Sequence, residues 1–397
     1  MIADDAPGRM SVAHFVDSYL GLTETFIHDT LIAFRRVRPV VIARGTENMD
    51  RFPLPRGATI HLSPPSWGSA AWASATLRRR MRGGDPHLEG ILERERIRVM
   101  HAHFGPTACA LLETKRRVRL PLITSFYGYD ASMISVIERL GEEYRRLFET
   151  GDAFLVEGAA MRRRLLGLGC PESRLRIHPI GIDPARYRFR AREGPREGPV
   201  WLLQCGRMVP KKGYPTGLQA LREARRHDAR LRLRIIGDGP ERPAIERLIR
   251  ELDLGEAVVL LGSRPRAVFL EELDRAHVYF QPSMTAPDGD SEGGAPTSLL
   301  EAQASGLPVL STRHADIPEV VREGESALLT EEGDVDGLAS GMVSLASRPE
   351  RWPSMGRAGR EHVERRHDVR RLAAELEVLY GAVAGRAGEA GRVRLEG

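Results

Sequence analysis

Thirteen short apolar, largely β-branched runs recur along the chain, each separated from the next by a longer stretch, many of them with helical period. This alternation limits the fold more than any single residue does. The first seven runs are SVAHFV (11–16), PVVIAR (39–44), TIHLS (59–63), RVMHAHF (98–104), PLITSF (121–126), DAFLVEG (152–158) and LRIHPIG (175–181). Six more follow: VWLLQCGR (200–207), LRLRIIGDG (231–239), AVVLLG (257–262), VYFQPS (278–283), LPVLST (307–312) and ALLT (327–330). Continuous apolar runs of this length between helices read as parallel strands buried on both faces. The fold class is therefore α/β.

Between the two sets lies DPARYRFRAREGPREGP (183–199), with several charges, three prolines and no apolar period. Such a composition marks a linker between two cores. The expected layout is two Rossmann-like domains, 1–185 and 186–365, facing a central cleft. Ligands of such sheets bind outside the carboxyl ends of the strands. The segment from Gly385 onward, GRAGEAGRVRLEG, reads as a disordered tail.

Composition narrows the function. The chain has 59 basic against 54 acidic residues, and only Lys115, Lys211 and Lys212 are lysines. That excess is small for a nucleic-acid binder, and no such motif is present. Anionic small molecules or an anionic membrane surface are better partners. Cys109, Cys170 and Cys205 are scattered and odd in number, offering neither a disulfide framework nor a metal pair, which fits a reducing cytoplasm. No run of 18 apolar residues occurs, so no membrane-spanning helix is expected.

Polar residues gather just past the expected strand ends. GRMVPKKG places Gly206, Arg207, Lys211, Lys212 and Gly213 ahead of a helix. Arg207 and Lys212 with a helix start would suit a diphosphate, and a solvated basic turn would look the same. IIGDGPER gives a tight turn at Gly239, and LLGSRPRAV leaves the backbone at Ser263 and Arg264 open to a flat ring. In SEGGAPTSLLEAQASG, Gly293 and Gly294 let backbone come close to a ligand, and Pro296 suits a first helical turn. Glu301 lies about 1.4 turns beyond it, too far to share atoms with Glu292. Two carboxylates so placed read as acceptors for sugar hydroxyls, or as a cap and a surface residue.

Taken together, GRMVPKKG, IIGDGPER, LLGSR, FQPS, EGGAPTSLLEAQASGLPVLST and IPEVVREGESALL resemble the C-terminal half of family 4 glycosyltransferases of GT-B fold. The likeness is close over 200–330 and looser before it. It implies that 186–365 holds a nucleotide-sugar donor and 1–185 an acceptor, with helix 366–384 returning to the first domain. It further implies that Arg207 and Lys212 hold the donor diphosphate, that Glu292 with the backbone of Gly293, Gly294, Ala295, Pro296 and Thr297 meets the sugar, and that Glu301 binds the ribose. The family usually has seven residues between its two glutamates; here there are eight, which calls for a local bulge.

In the first half, HAHFG and SFYGYD end neighbouring strands, placing His103, Tyr127 and Asp130 at the cleft. The family often has His-Gly where this chain has Tyr127-Gly128, so His103 or Tyr127 is expected to stand in. His101 and His103 share a strand face, yet nothing in the sequence completes a metal set. Gly21, Thr23 and Glu24 in DSYLGLTETF are further sugar or acceptor candidates. SWGSAAWASATLRRRMRGG (66–84) fits docking on anionic lipid as well as it fits a plain surface helix.

The resemblance implies a retaining transferase moving a hexose from a nucleoside-diphosphate sugar to a glycan or lipid-linked acceptor. It would act in the cytoplasm, with or without peripheral contact with the membrane, and without metal or other cofactor. A GT-B-shaped epimerase or an inactive nucleotide-sugar-binding subunit are the alternatives.

Overall fold

The computed structural model describes residues 8–21, 24–55, 57–62, 85–195 and 197–393, the last seven of these by backbone alone. Its first sheet holds β1 (Met10–Tyr19), β2 (Val37–Thr46), β3 (Thr59–Leu62), β4 (Val99–His103), β5 (Leu122–Ser125), β6 (Ala153–Val156) and β7 (Leu175–Ile177). The second holds β8 (Val200–Cys205), β9 (Leu231–Ile236), β10 (Val258–Gly262), β11 (Val278–Gln281), β12 (Val309–Thr312) and β13 (Ala327–Thr330). Their orders are β3-β2-β1-β4-β5-β6-β7 and β10-β9-β8-β11-β12-β13, and every recorded pairing is parallel. Each of the thirteen apolar runs is a strand. In both sheets the order reverses beside the first strand of the domain, the crevice where such sheets take ligands.

Alternation along β1 shows why each sheet must be covered twice. Ala13 and Phe15 join one apolar cluster, while Val12 and Val16 join another on the opposite face. The second face is closed by the far end of the chain. Helix Val369–Val393 lays Ala373, Leu376, Tyr380 and Val383 against it, a stripe at helical spacing. Glu377 beside that stripe accepts from the amides of Arg35, Arg36 and Val37 at 2.7, 2.6 and 3.1 Å.

Three expectations change. The linker expected over 183–199 is in part packed: Tyr187 and Arg192 are buried, and Arg192 donates to the carbonyls of Asp274 (2.8 Å) and Ser305 (2.9 Å). Arg192 thus satisfies carbonyls at the ends of two helices of the second domain, while Arg186 pairs with Asp29 of the first. The tail expected to be disordered from Gly385 continues the helix to Val393, in keeping with its alanines, arginines and glutamates. Pro296 is the residue before helix Thr297–Ala304, with ψ 127°, and not part of its first turn.

Candidate active site

The carboxyl ends of both sheets meet. Tyr127 and Gly128 follow β5, and Glu157 and Gly158 follow β6; against them stand the turns after β11 and β12, with the turn after β8 joined to these through Lys212. The meeting is close. Gly293 has φ +78°, open to glycine at little cost, and a Cβ there would lie 2.2 Å from Gly128 Cα. Ile134 N donates to Asp288 O (3.1 Å) and Ser291 N to Ser132 Oγ (3.2 Å), so backbone crosses between domains.

Glu292 stands in this contact with its carboxylate fully used. Its Oε2 accepts from Lys212 Nζ at 2.8 Å and its Oε1 from Ser283 Oγ at 2.6 Å. Burial works to raise its pKa, but Lys212, Lys211 and these hydrogen bonds outweigh it and hold the carboxyl below its ordinary range. With eight residues before Glu301, Glu292 stands where the two domains touch, and Gly293 directly after it takes a φ of +78°. Arg207, exposed on the same turn as Lys212, makes no side-chain hydrogen bond or ion pair among the described residues. Lys211 is committed elsewhere, to Asp290 Oδ1 (3.1 Å) and Ser291 O (2.8 Å).

Glu301 lies apart, buried in helix Thr297–Ala304. Its Oε1 accepts from Tyr187 Oη at 2.7 Å and from Arg266 Nη1 at 2.9 Å. Both partners escaped the sequence reading. Arg266 is two residues beyond Arg264, which with Ser263 sits exposed in the loop after β10. Gly239, at φ +155°, is needed for packing: a Cβ would meet Met208 O at 2.6 Å, so its turn is fastened to the segment holding Gly206 and Arg207.

The N-terminal candidates are less accessible than the sequence led us to expect. His103 is buried, with Nδ1 on Tyr127 Oη (2.8 Å) and Nε2 on His14 Nδ1 (3.2 Å), and burial lowers its pKa to about 3. It offers the cleft no free nitrogen. Tyr127 directs its hydroxyl inward to that imidazole, while its backbone faces Gly293. Asp130 is wholly buried and accepts from the amides of Gly105, Tyr127 and Gly128 at 2.9, 3.1 and 2.9 Å, tying two turns together in place of a sugar.

His14, brought beside His101 by parallel register, completes a set of three imidazoles. Their nitrogens are largely spoken for: His101 bonds Tyr380 Oη (2.7 Å) and Ser125 Oγ (2.8 Å), and of the three rings only His14 Nε2 has no partner among the described residues. Glu24 N donates to Gly21 O (3.0 Å), and burial raises the Glu24 pKa despite that turn's hydrogen bonding. Thr23 and the stretch 66–84 lie outside the described residues.

Two family descriptions match the chain: Glycosyltransferase Family 4 over residues 24–186 and Glycosyl transferases group 1 over 186–362. WcaL of Escherichia coli, named for colanic acid biosynthesis, is 33% identical over 72% of this chain and 71% of its own length. The chain belongs to the family 4 glycosyltransferases. The Salmonella typhimurium WcaL is 34% identical over 62% of this chain, and the match spans 61% of that relative's length. A GDP-mannose-dependent phosphatidylinositol monomannoside mannosyltransferase of Mycolicibacterium smegmatis is 30% identical over 66% of this chain and 70% of its own length.

Among solved structures, HepE of Anabaena with UDP superposes with a TM-score of 0.75 at 15% identity, covering 94% of this chain and all of that one. Sucrose-phosphate synthase of Thermosynechococcus elongatus gives 0.76 at 17%, over 95% of this chain and all of its own. At these identities they show the fold, which is GT-B. The boundary between the two matched regions falls at residue 186, within the linker whose Arg192 this family 4 chain packs against its second domain.

Proposed function

We propose that this protein is a retaining glycosyltransferase that moves a hexose from a nucleoside-diphosphate sugar to an acceptor hydroxyl in cell-surface polysaccharide or glycoconjugate synthesis. The observation that carries the reading is Arg207, exposed and without a side-chain partner among the described residues, five residues before the Lys212 that pairs with Glu292. A diphosphate would take Arg207 and share Lys212, and the helix start adds roughly half a positive charge. These groups would stabilise the charge that develops on the leaving diphosphate, which is electrostatic catalysis with the cations supplied by the protein. With transfer on the same face, the departing diphosphate oxygen takes the acceptor proton. No side chain is then required as base, in keeping with His103 being turned inward.

Among the described residues Glu301 Oε2 has no hydrogen bond while Oε1 is held, and we assign Oε2 to a ribose hydroxyl. Relatives named for colanic acid, amylovoran and a mannosylated phosphatidylinositol support the polysaccharide or glycolipid setting. No described helix is long and apolar enough to cross a membrane. A lipid-linked acceptor would then be met from a peripheral position on the cytoplasmic side.

The test is a panel of UDP-, GDP- and ADP-sugars, following release of nucleoside diphosphate with and without an acceptor extract. Turnover with one donor is expected, and Arg207→Ala should lower it about a hundredfold. Full turnover by Arg207→Ala would sink the diphosphate assignment. Nucleotide binding without turnover across the panel would favour a binding subunit.

A further inference from the structure

Four carboxyl groups converge where the domains touch, and among the described residues only Glu292 has an ion-pair partner. Glu292 pairs with Lys212, while Glu157, Asp130 and Asp316 make their hydrogen bonds to backbone amides. Two of these cross the interface in opposite directions. Glu157, directly after β6, reaches the second domain, where its Oε2 accepts from Ala295 N at 3.3 Å. Asp316, in the turn after β12, reaches back, with Oδ1 and Oδ2 accepting from the amides of Ala160 (2.6 Å) and Met161 (3.4 Å) at the start of helix Ala159–Gly167. Asp316 N also donates to Gly294 O at 3.1 Å.

Two glycines make room for the exchange. A Cβ on Gly294 would lie 1.7 Å from Glu157 Oε2, and one on Gly158 would lie 2.4 Å from Asp316 Cγ. Each domain thus lends a carboxyl to a helix start or its approach on the other.

We propose that Glu157 is a positioning residue for the transfer: reaching across the closed cleft, its carboxyl fixes the Gly294–Ala295 turn, the wall of the sugar site, against the first domain. The catalytic part of this rests on the transferase reading; the closure itself does not.

Burial first, and then the neighbouring Asp316, Asp130 and Glu292, raise the Glu157 pKa well above the ordinary range against one opposing amide. Burial raises Asp316 as well, with its two amides and Arg163 opposing. Tyr127 also faces Glu157, and His178 lines the same cavity. Burial keeps both of those uncharged near neutrality: it raises Tyr127 and lowers His178 to about 4. A group whose folded pKa is raised favours the closed state below its open-state value and ceases to do so as pH rises through the closed-state value. Closure therefore takes up a proton, and alkali opens the cleft.

Small-angle X-ray scattering of the full chain without nucleotide, from pH 5 to 9, reads closure directly. The wild type should be compact in acid and expand as pH rises. Glu157→Gln, which keeps an oxygen acceptor but cannot ionise, should lose part or all of that expansion, and Glu157→Ala should be expanded throughout. Identical scattering of all three at every pH would overturn the proposal.

With a donor found in the panel, Glu157→Ala should lower kcat at least about tenfold, the loss of roughly one hydrogen bond, and Glu157→Gln should restore kcat while flattening the alkaline fall. Unchanged pH profiles in both variants would also overturn it. A wild type without turnover would sink the transferase reading and leave the scattering to decide on the latch.

Discussion

Lys212 and Glu292 are each almost enclosed, with side chains 12% and 6% exposed, and each neutralises the other. Removing one leaves a buried charge alone, a loss of about 3 kcal/mol by comparison with other broken buried pairs. Lys212→Met should therefore lower the urea midpoint as well as turnover, whereas Arg207→Ala, which strips an exposed residue, should spare stability. Equal stability of Lys212→Met and wild type would show that Glu292 finds another partner or a proton. A second residue-scale expectation concerns Tyr380→Phe. It removes the hydroxyl on His101 Nδ1 and leaves a buried nitrogen unpaired, costing about 1–3 kcal/mol in chemical denaturation with little packing change.

The assignments that the sequence supported best were those made by strand ends and helix starts, since each puts its residues at a known edge of the sheet. The thirteen strands and the separation of Glu301 from Glu292 follow from that local logic, whereas the ion pair of Lys212 with Glu292 joins residues 80 apart and is not written near either. His103 did not, because strand alternation says only that it shares a face with His101. What lies over that face comes from β1 and from Tyr380, near the far end of the chain. Glu157 lies near the end of the run DAFLVEG (152–158) and was no candidate, since nothing near it in sequence tells of Ala295. Its position at a strand's carboxyl end, beside a glycine, was the available signal.

At the scale of elements, the contact between the turn after β5 and the one after β11 is backbone on backbone. Gly293→Ala would put its Cβ 2.2 Å from Gly128 Cα and 2.4 Å from Tyr127 O, at a φ of +78°. The domains would be pushed apart while each sheet stays intact. Turnover should fall more than about tenfold, with a loss of about 1 kcal/mol in stability from the left-handed conformation. A drop in melting temperature too large for that one turn would place the damage inside the second domain instead. Gly213→Ala is the control for such damage: its Cβ would meet Pro282 O at 1.8 Å within that domain, so it should unfold before it merely opens.

For the molecule as a whole, acid pulls on two sets of groups in opposite directions. His103, His178 and His367 have pKa values lowered by burial to about 3, 4 and 4, against an unfolded value near 6.5. The unfolded chain binds more protons between those limits, so their contribution to stability, full above about pH 6.5, is lost as pH falls toward 4. Glu157 and Asp316 run the other way and favour closure in acid. Denaturant midpoints should therefore fall from pH 6.5 to 4 while scattering shows the molecule at its most compact before it unfolds. A midpoint that stayed level over that range would contradict the buried, neutral state of the imidazoles.

Helix Val369–Val393 also bears on how the chain is made. Because it supplies one wall of the first sheet, the second domain is in effect an insertion within the first, and the His101–Tyr380 bond joins residues 279 positions apart. A ribosome delivers the first sheet early but its covering helix only after the second domain. The second domain can complete its core during synthesis, while the first must wait with one face of β1 and β4 uncovered. The domain that begins the chain is the one that finishes folding last, and a chain stalled near residue 368 would carry an exposed apolar face for chaperones to find.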